Sequence, residues 1–105
     1  MKIYVAGPYT RGSESLNIAK AVEGANALWD KGHTPFIPHM SHFWEMIGPR
    51  RHYEEWMKWC LVWVEACDAL LRMPGESSGA DREVELALKL GKPVYYSLDE
   101  VGSAD

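Results

Sequence analysis

Short apolar runs alternate along the chain with longer stretches in which apolar residues recur every three or four positions. Lys2 to Ala6 carries Ile3, Tyr4 and Val5 and stops at Gly7-Pro8, which predicts a strand and its end. Ser13 or Ser15 can cap a helix that runs to about Lys31. Its expected inner stripe is Leu16, Ala19, Val22, Ala25 or Asn26, and Trp29, and Gly32 ends it. Thr34 to Ile37 reads as a short second strand between Pro35 and Pro38. His39 to Arg51 shows no sustained period and is expected to be irregular, with one helical turn around Phe43 to Ile47. From His52 to Ala66 the pattern is helical, with Trp56, Cys60, Trp63, Val64 and Cys67 at spacings of three and four. Asp68 to Met73 is the third strand, Pro74 to Ser78 a loop, Gly79 to Leu90 a helix stopped by Gly91, and Val94 to Ser97 the fourth strand.

Strands that alternate with helices give an α/β fold. The expected form is a small doubly wound, Rossmann- or flavodoxin-like parallel sheet of about four to five strands with flanking helices. Residues 1–98 form the expected domain, and 99–105 a polar tail expected to fray. Ligands of such sheets bind beyond the carboxyl ends of the strands. Two loops lie on that edge, Gly7 to Gly12 after the first strand and Pro74 to Ser78 after the third.

Composition narrows the partners. The chain has 105 residues, 47% hydrophobic and 25% charged, enough to bury one core. Eleven basic against 15 acidic side chains leave a net charge of −4, which argues against gripping a nucleic-acid polymer through its phosphates. No apolar run approaches the roughly 20 residues that span a bilayer, and the opening is too short for a signal-peptide core. A cytoplasmic location is therefore expected. Cys60 and Cys67 form no C-x-x-C pair. On one helix they stand roughly 10 Å apart along its axis, so both are read as reduced.

The segment Pro74-Gly-Glu-Ser-Ser-Gly-Ala-Asp-Arg-Glu83 joins a strand end, a small-residue loop and a helix start. Unpaired N–H groups at a helix start carry partial positive charge, and Ser77, Ser78 and Gly79 let an anion come close. An ordinary capped helix explains the same residues, with Ser78 as N-cap and Asp81 completing a capping box. Glu83 shares a face with Leu86, Ala87 and Leu90, whereas Glu85 can pair with Lys89 on the solvated side. A carboxylate at the ligand edge, held ionised by the helix N-terminus, suits a nucleophile. A half-exposed first-turn acid is the plainer reading.

The first loop is not G-x-G-x-x-G, so a dinucleotide fingerprint is absent. Gly7 permits a tight turn, Tyr9 can stack on a base or bond a sugar, and Arg11 can bind phosphate. A plain turn with a solvated arginine is the alternative. His39 and His42 could form a metal pair, but no further ligand set accompanies them. A loop covering a planar ligand, or a merely packed loop, fits them better. Trp56, Trp59 and Trp63 on one helix point to core or a subunit interface.

These residues together resemble the nucleoside 2-deoxyribosyltransferase-like superfamily, in a small branch similar to the 2'-deoxynucleoside 5'-phosphate N-hydrolases. The resemblance runs from M-K-I-Y-V-A-G-P-Y-T through C-D-A-L-L-R-M-P-G-E-S-S-G-A-D-R-E-V-E-L-A to G-K-P-V-Y-Y. It implies cleavage or exchange of the N-glycosidic bond of a 2'-deoxynucleoside or its 5'-phosphate, with Glu83 as nucleophile and no cofactor. It also implies a homodimer or larger assembly. The family's transferases on free nucleosides carry Asp where this chain has Ser77, and its monophosphate hydrolases carry Ser. Arg11 resembles their phosphate-side arginine. The resemblance therefore favours a nucleoside 5'-monophosphate substrate over a free nucleoside. One position departs from the pattern: Cys60 stands where the family commonly has the Asp that assists the leaving base. Glu55 or His42 could serve instead, the base could need little protonation, or turnover could be weakened to leave a nucleotide-binding sensor.

Overall fold

The computed structural model describes residues 1–10 and 12–104. Its elements are β1 (Lys2–Ala6), α1 (Glu14–Asp30), β2 (Thr34–Phe36), a 3-10 turn (Pro38–Met40), α2 (Ser41–Ile47), α3 (Tyr53–Ala66), β3 (Ala69–Arg72), α4 (Ser78–Lys89), β4 (Val94–Tyr95) and a second 3-10 turn (Leu98–Glu100). The four strands form one parallel sheet in the order β2-β1-β3-β4. The chain leaves β1 toward one edge and then returns to the other side, so the topological switch lies between β1 and β3. There the crossovers diverge and open a crevice at the strands' carboxyl ends.

Strand β1 is buried on both faces, as a central parallel strand must be. Its side chains alternate between two cores. Ile3 and Val5 pack with Ala21, Leu28, Ala69, Leu71 and Val101 on the α1 face. Tyr4 and Ala6 pack with Val64, Cys67, Leu70, Ala80 and Ala87 on the α3–α4 face. Pro35 is accommodated in β2 because that strand is at the sheet's edge.

Helix α1 starts where expected, with Ser13 accepting the Leu16 N–H, but its buried stripe differs from the expected one. Ala21, Gly24, Ala25 and Leu28 face the sheet, whereas Leu16 and Trp29 are exposed. Small residues let the helix approach closely. A Cβ on Gly24 would stand 3.0 Å from Met73 Sδ. The stretch between the second strand and α3 is more regular than expected, holding both a 3-10 turn and α2.

The segment expected to fray instead packs back on the domain. Val101 is fully buried, and Lys31 Nζ donates to the carbonyls of Leu98 (2.8 Å) and Val101 (2.6 Å). The Ala104 N–H donates to Lys31 O at 2.8 Å. Lys92 closes α3 in a similar way, with its ammonium on the carbonyls of Val64, Glu65 and Cys67.

Candidate functional site

The loops after β1 and β3 meet each other at the switch point. A Cβ on Gly7 would stand 2.9 Å from Met73 Cβ, and one on Gly75, at φ +115°, would stand 2.6 Å from Pro8 Cγ. Glycine is required at both, for proximity at Gly7 and also for conformation at Gly75. Arg72 fixes the second loop from below, its guanidinium donating to the carbonyls of Met73 and Gly75 and to Asp81 Oδ1.

A cavity of about 540 Å³ opens beside these loops, under α2 and against the starts of α3 and α4. Gly7, Tyr9, Cys60, Ser77, Ser78, Gly79 and Glu83 all line it. Arg11 lies outside the described residues. His42 is not in the lining; its Nδ1 is 2.9 Å from Tyr9 Oη and 3.3 Å from Glu14 Oε2, so the ring braces Tyr9 from behind. Glu55 is exposed and accepts the His52 N–H in the capping box of α3, which takes it out of the site. Of the two histidines, His39 lines the cavity.

Glu83 is 5% exposed and accepts a 2.7 Å hydrogen bond from Tyr4 Oη. Strand alternation sends Tyr4 to the same face as α4, and the helix periodicity turns Glu83 toward it. Burial raises the Glu83 carboxyl to about 7. Hydrogen bonds from Tyr4 and Cys60, and then the charges of Arg72 and Arg82, pull the other way. The expectation of a carboxylate held ionised by the helix N-terminus is thus corrected: Glu83 sits in the second turn of α4, and desolvation dominates.

Cys60 reaches this pair from α3. Burial pushes its thiol up to about 12, and the adjacent Glu83 carboxylate adds to the rise. It is a protonated donor beside Glu83, not a thiolate. Tyr4 is likewise raised well above the ordinary phenol range, first by burial and then by the Glu83 charge.

The helix cap differs from expectation by one residue. Ser77 is the N-cap of α4, its Oγ accepting the Ala80 N–H at 3.1 Å, and Asp81 pairs with Arg72 rather than closing a capping box. A hydroxyl that accepts still has its own proton to donate. Ser77 can therefore cap the helix and donate into the cavity at once.

Trp56, expected in the core or a subunit interface, is also part of the lining. Most of the remainder was not singled out from sequence. It includes Arg51, whose guanidinium lies 5.5 Å from the Trp44 ring centroid and 5.8 Å from that of Trp56. Trp56 lies on α3 one turn before Cys60 and so shares its face, a spacing that could have placed it here. Among the described residues no group of three His, Cys, Asp or Glu side chains is placed to hold a metal ion. No helix is long and apolar enough to cross a membrane.

The fold has known counterparts. A 2-deoxyribosyltransferase from Bacillus psychrosaccharolyticus superposes with a TM-score of 0.60 at 27% identity, over 90% of this chain and 69% of that one. A 2-deoxyribosyltransferase from Leishmania mexicana superposes with a TM-score of 0.63 at 21% identity, over 89% of this chain and 61% of that one. This chain is therefore similar to about two thirds of each. No curated protein matches it in sequence. The model of the family described as Domain of unknown function (DUF4406) matches residues 1–96. The chain belongs to that family, within the nucleoside 2-deoxyribosyltransferase-like superfamily.

Proposed function

We propose that the protein is an N-glycosidase that breaks the base–sugar bond of a (2'-deoxy)nucleoside 5'-monophosphate through a covalent intermediate on Glu83. The observation that carries this reading is the buried Glu83 carboxylate, bonded to Tyr4, on the wall of a cavity at the sheet's switch point.

In the first step ionised Glu83 attacks the anomeric carbon. A carbon–oxygen bond forms as the carbon–nitrogen bond breaks, and the base leaves with the electron pair. In the second step water displaces Glu83 from the sugar, giving retention of configuration. The departing base needs a proton in most cases. The Cys60 thiol, at about 12, is too weak an acid to supply it near neutral pH, so the proton comes from solvent in the open cavity. Tyr4 and Cys60 hold Glu83 in place and favour its charged form.

At the other end of the substrate, the Ser77 hydroxyl and the first N–H groups of α4 suit a phosphate, which an Asp at this position would repel. Arg51 adds a cation to the same lining. A second reading is transfer of the sugar between bases with a free nucleoside as substrate. The relative from Bacillus psychrosaccharolyticus, named a 2-deoxyribosyltransferase, supports it.

Incubation with each common deoxynucleoside, ribonucleoside and 5'-monophosphate, followed by chromatography of free base, tests the reading. Release from a monophosphate that is lost in Glu83→Gln is the expected result. Release only after an acceptor base is added would identify a transferase. Saturable nucleotide binding without release would leave a sensor and overturn the enzyme reading.

A further inference from the structure

The cavity beside Glu83 has an uneven set of charges. Glu45, Glu76, Asp81 and Glu83 all line it, whereas Arg51 is the one arginine or lysine in the lining among the described residues. Burial lowers the proton affinity of His39, the other basic side chain there. An anionic substrate therefore has a single permanent cation to meet in this wall. Away from Arg51 it would face carboxylates, and such repulsion sharpens selection of one binding pose.

Arg51 is held differently from the other arginines near the site. Arg72 and Arg82 are engaged by the carboxylates of Asp81 and Glu54. Arg51 pairs with no carboxylate among the described residues. Its guanidinium lies over the Trp44 and Trp56 rings, and its one hydrogen bond is a long 3.5 Å contact to Pro49 O. Aromatic faces attract a guanidinium without consuming its N–H donors. The half-buried side chain is thus steadied at the cavity wall with donors to spare.

Two hydroxyls lie on the same lining. Tyr53, two residues after Arg51, is exposed. A Cβ built on Gly79 would stand 3.1 Å from Tyr53 Oη and 4.0 Å from Ser77 Oγ. Both hydroxyls therefore gather over the first turn of α4, around the space that Gly79 leaves open. Arg82 also hydrogen-bonds Tyr53. Arginine only donates, so the phenol keeps its own proton to give.

We propose that Arg51 and Tyr53, on the segment that leads into α3, bind the 5'-phosphate of the substrate together with Ser77, and that Arg51 selects a monophosphate over a free nucleoside. The inference rests on the nucleotide reading above and names the residues that select within it. Glu83 performs the chemistry.

Calorimetric titration of wild type, Arg51→Gln and Tyr53→Phe tests this, using the four common 2'-deoxynucleoside 5'-monophosphates and their nucleosides. Glutamine keeps a polar side chain of similar reach and removes the charge. Phenylalanine keeps the ring and removes the hydroxyl. Arg51→Gln is expected to weaken the best monophosphate at least about tenfold, while its nucleoside changes less than about twofold. Tyr53→Phe is expected to weaken the monophosphate about threefold, again with little change for the nucleoside. If wild type prefers no monophosphate over its nucleoside, the phosphate reading and this one fall together. If wild type prefers a monophosphate and Arg51→Gln keeps that preference, this inference alone falls. Equal losses for nucleoside and monophosphate would make Arg51 a structural support of the wall and would also overturn it. Unchanged affinity in Tyr53→Phe would remove Tyr53 from the assignment. If the preference collapses in Arg51→Gln but wild type releases no base, the enzyme reading falls and this one stands.

Discussion

Tyr4 Oη donates a 2.7 Å hydrogen bond to Glu83 Oε2 and so ties the central strand to the second turn of the last helix. The bond favours the charged carboxylate that burial disfavours. With ionised Glu83 as the proposed nucleophile, kcat/KM is expected to rise with pH through about 7. Tyr4→Phe removes one donor to the anion, so the rising limb should shift to higher pH and activity at pH 7 should fall, by about tenfold. A pH–rate profile checks both. A limb at the same pH in Tyr4→Phe would mean that another group titrates there.

Glu83 also links site chemistry to stability. Its folded value, about 7, lies above its ordinary value of 4.5, so the folded state holds the proton more tightly than the unfolded chain. The resulting stabilisation is complete below about 4.5 and is lost as pH rises through 7, amounting to about 3 kcal/mol. Glu83→Gln stays neutral throughout. The variant should be inactive yet melt higher than wild type at pH 8, with the difference shrinking toward pH 4.5. Thermal melts at the two pH values measure it. Equal melting at pH 8 would show that the carboxylate is not held at that cost.

Several of these features are visible in the residue pattern alone, and others are not, for physical reasons. The apolar run Ile3-Tyr4-Val5 stopped by Gly7-Pro8 and the helical period around Glu83 suffice to place the ligand-binding edge and the nucleophile candidate. The burial of Glu83 is not local: it depends on Tyr4, Cys60 and α3 closing over it, so a helix-dipole argument gave the wrong direction for its titration. The inner face of α1 departs from the apolar pattern at Leu16 and Trp29, which are exposed, because Gly24 sets the close approach to Met73 and the buried stripe runs through small residues. His39 and His42 stand three residues apart in sequence. Only the Pro8 carbonyl and the Tyr9 hydroxyl decide which one lines the cavity.

The two thiols should be inert in the folded protein. Burial raises both Cys60 and Cys67, Cys60 to about 12, so the thiolate fraction at pH 8 is very small. A colorimetric disulfide reagent is expected to titrate almost no thiol in the native protein and both after denaturation. Rapid native reaction of Cys60 would contradict its placement as a protonated donor beside Glu83. Cys60→Ser retains a donor and should keep most activity, whereas Cys60→Ala should shift the pH profile in the same direction as Tyr4→Phe.

The carboxyl-terminal segment is a structural part of the domain, and that can be measured directly. Val101 fills the α1-side core beside Ile3, Val5 and Leu28, and its neighbouring carbonyls are held by Lys31. His33 adds a 2.7 Å contact to Gly102 O. Val101→Ala removes two buried methyl groups from a packed site and should cost about 2 kcal/mol, or a melting temperature lower by about 10 °C. Ser103→Ala, at an exposed position in the same segment, is the control and should change stability by less than about 0.5 kcal/mol. Because Val101 lies on the opposite face of the sheet from Tyr4 and Glu83, the loss should appear in stability, and kcat at 25 °C should be unchanged. A Val101→Ala protein as stable as wild type would mean that the segment frays in solution after all.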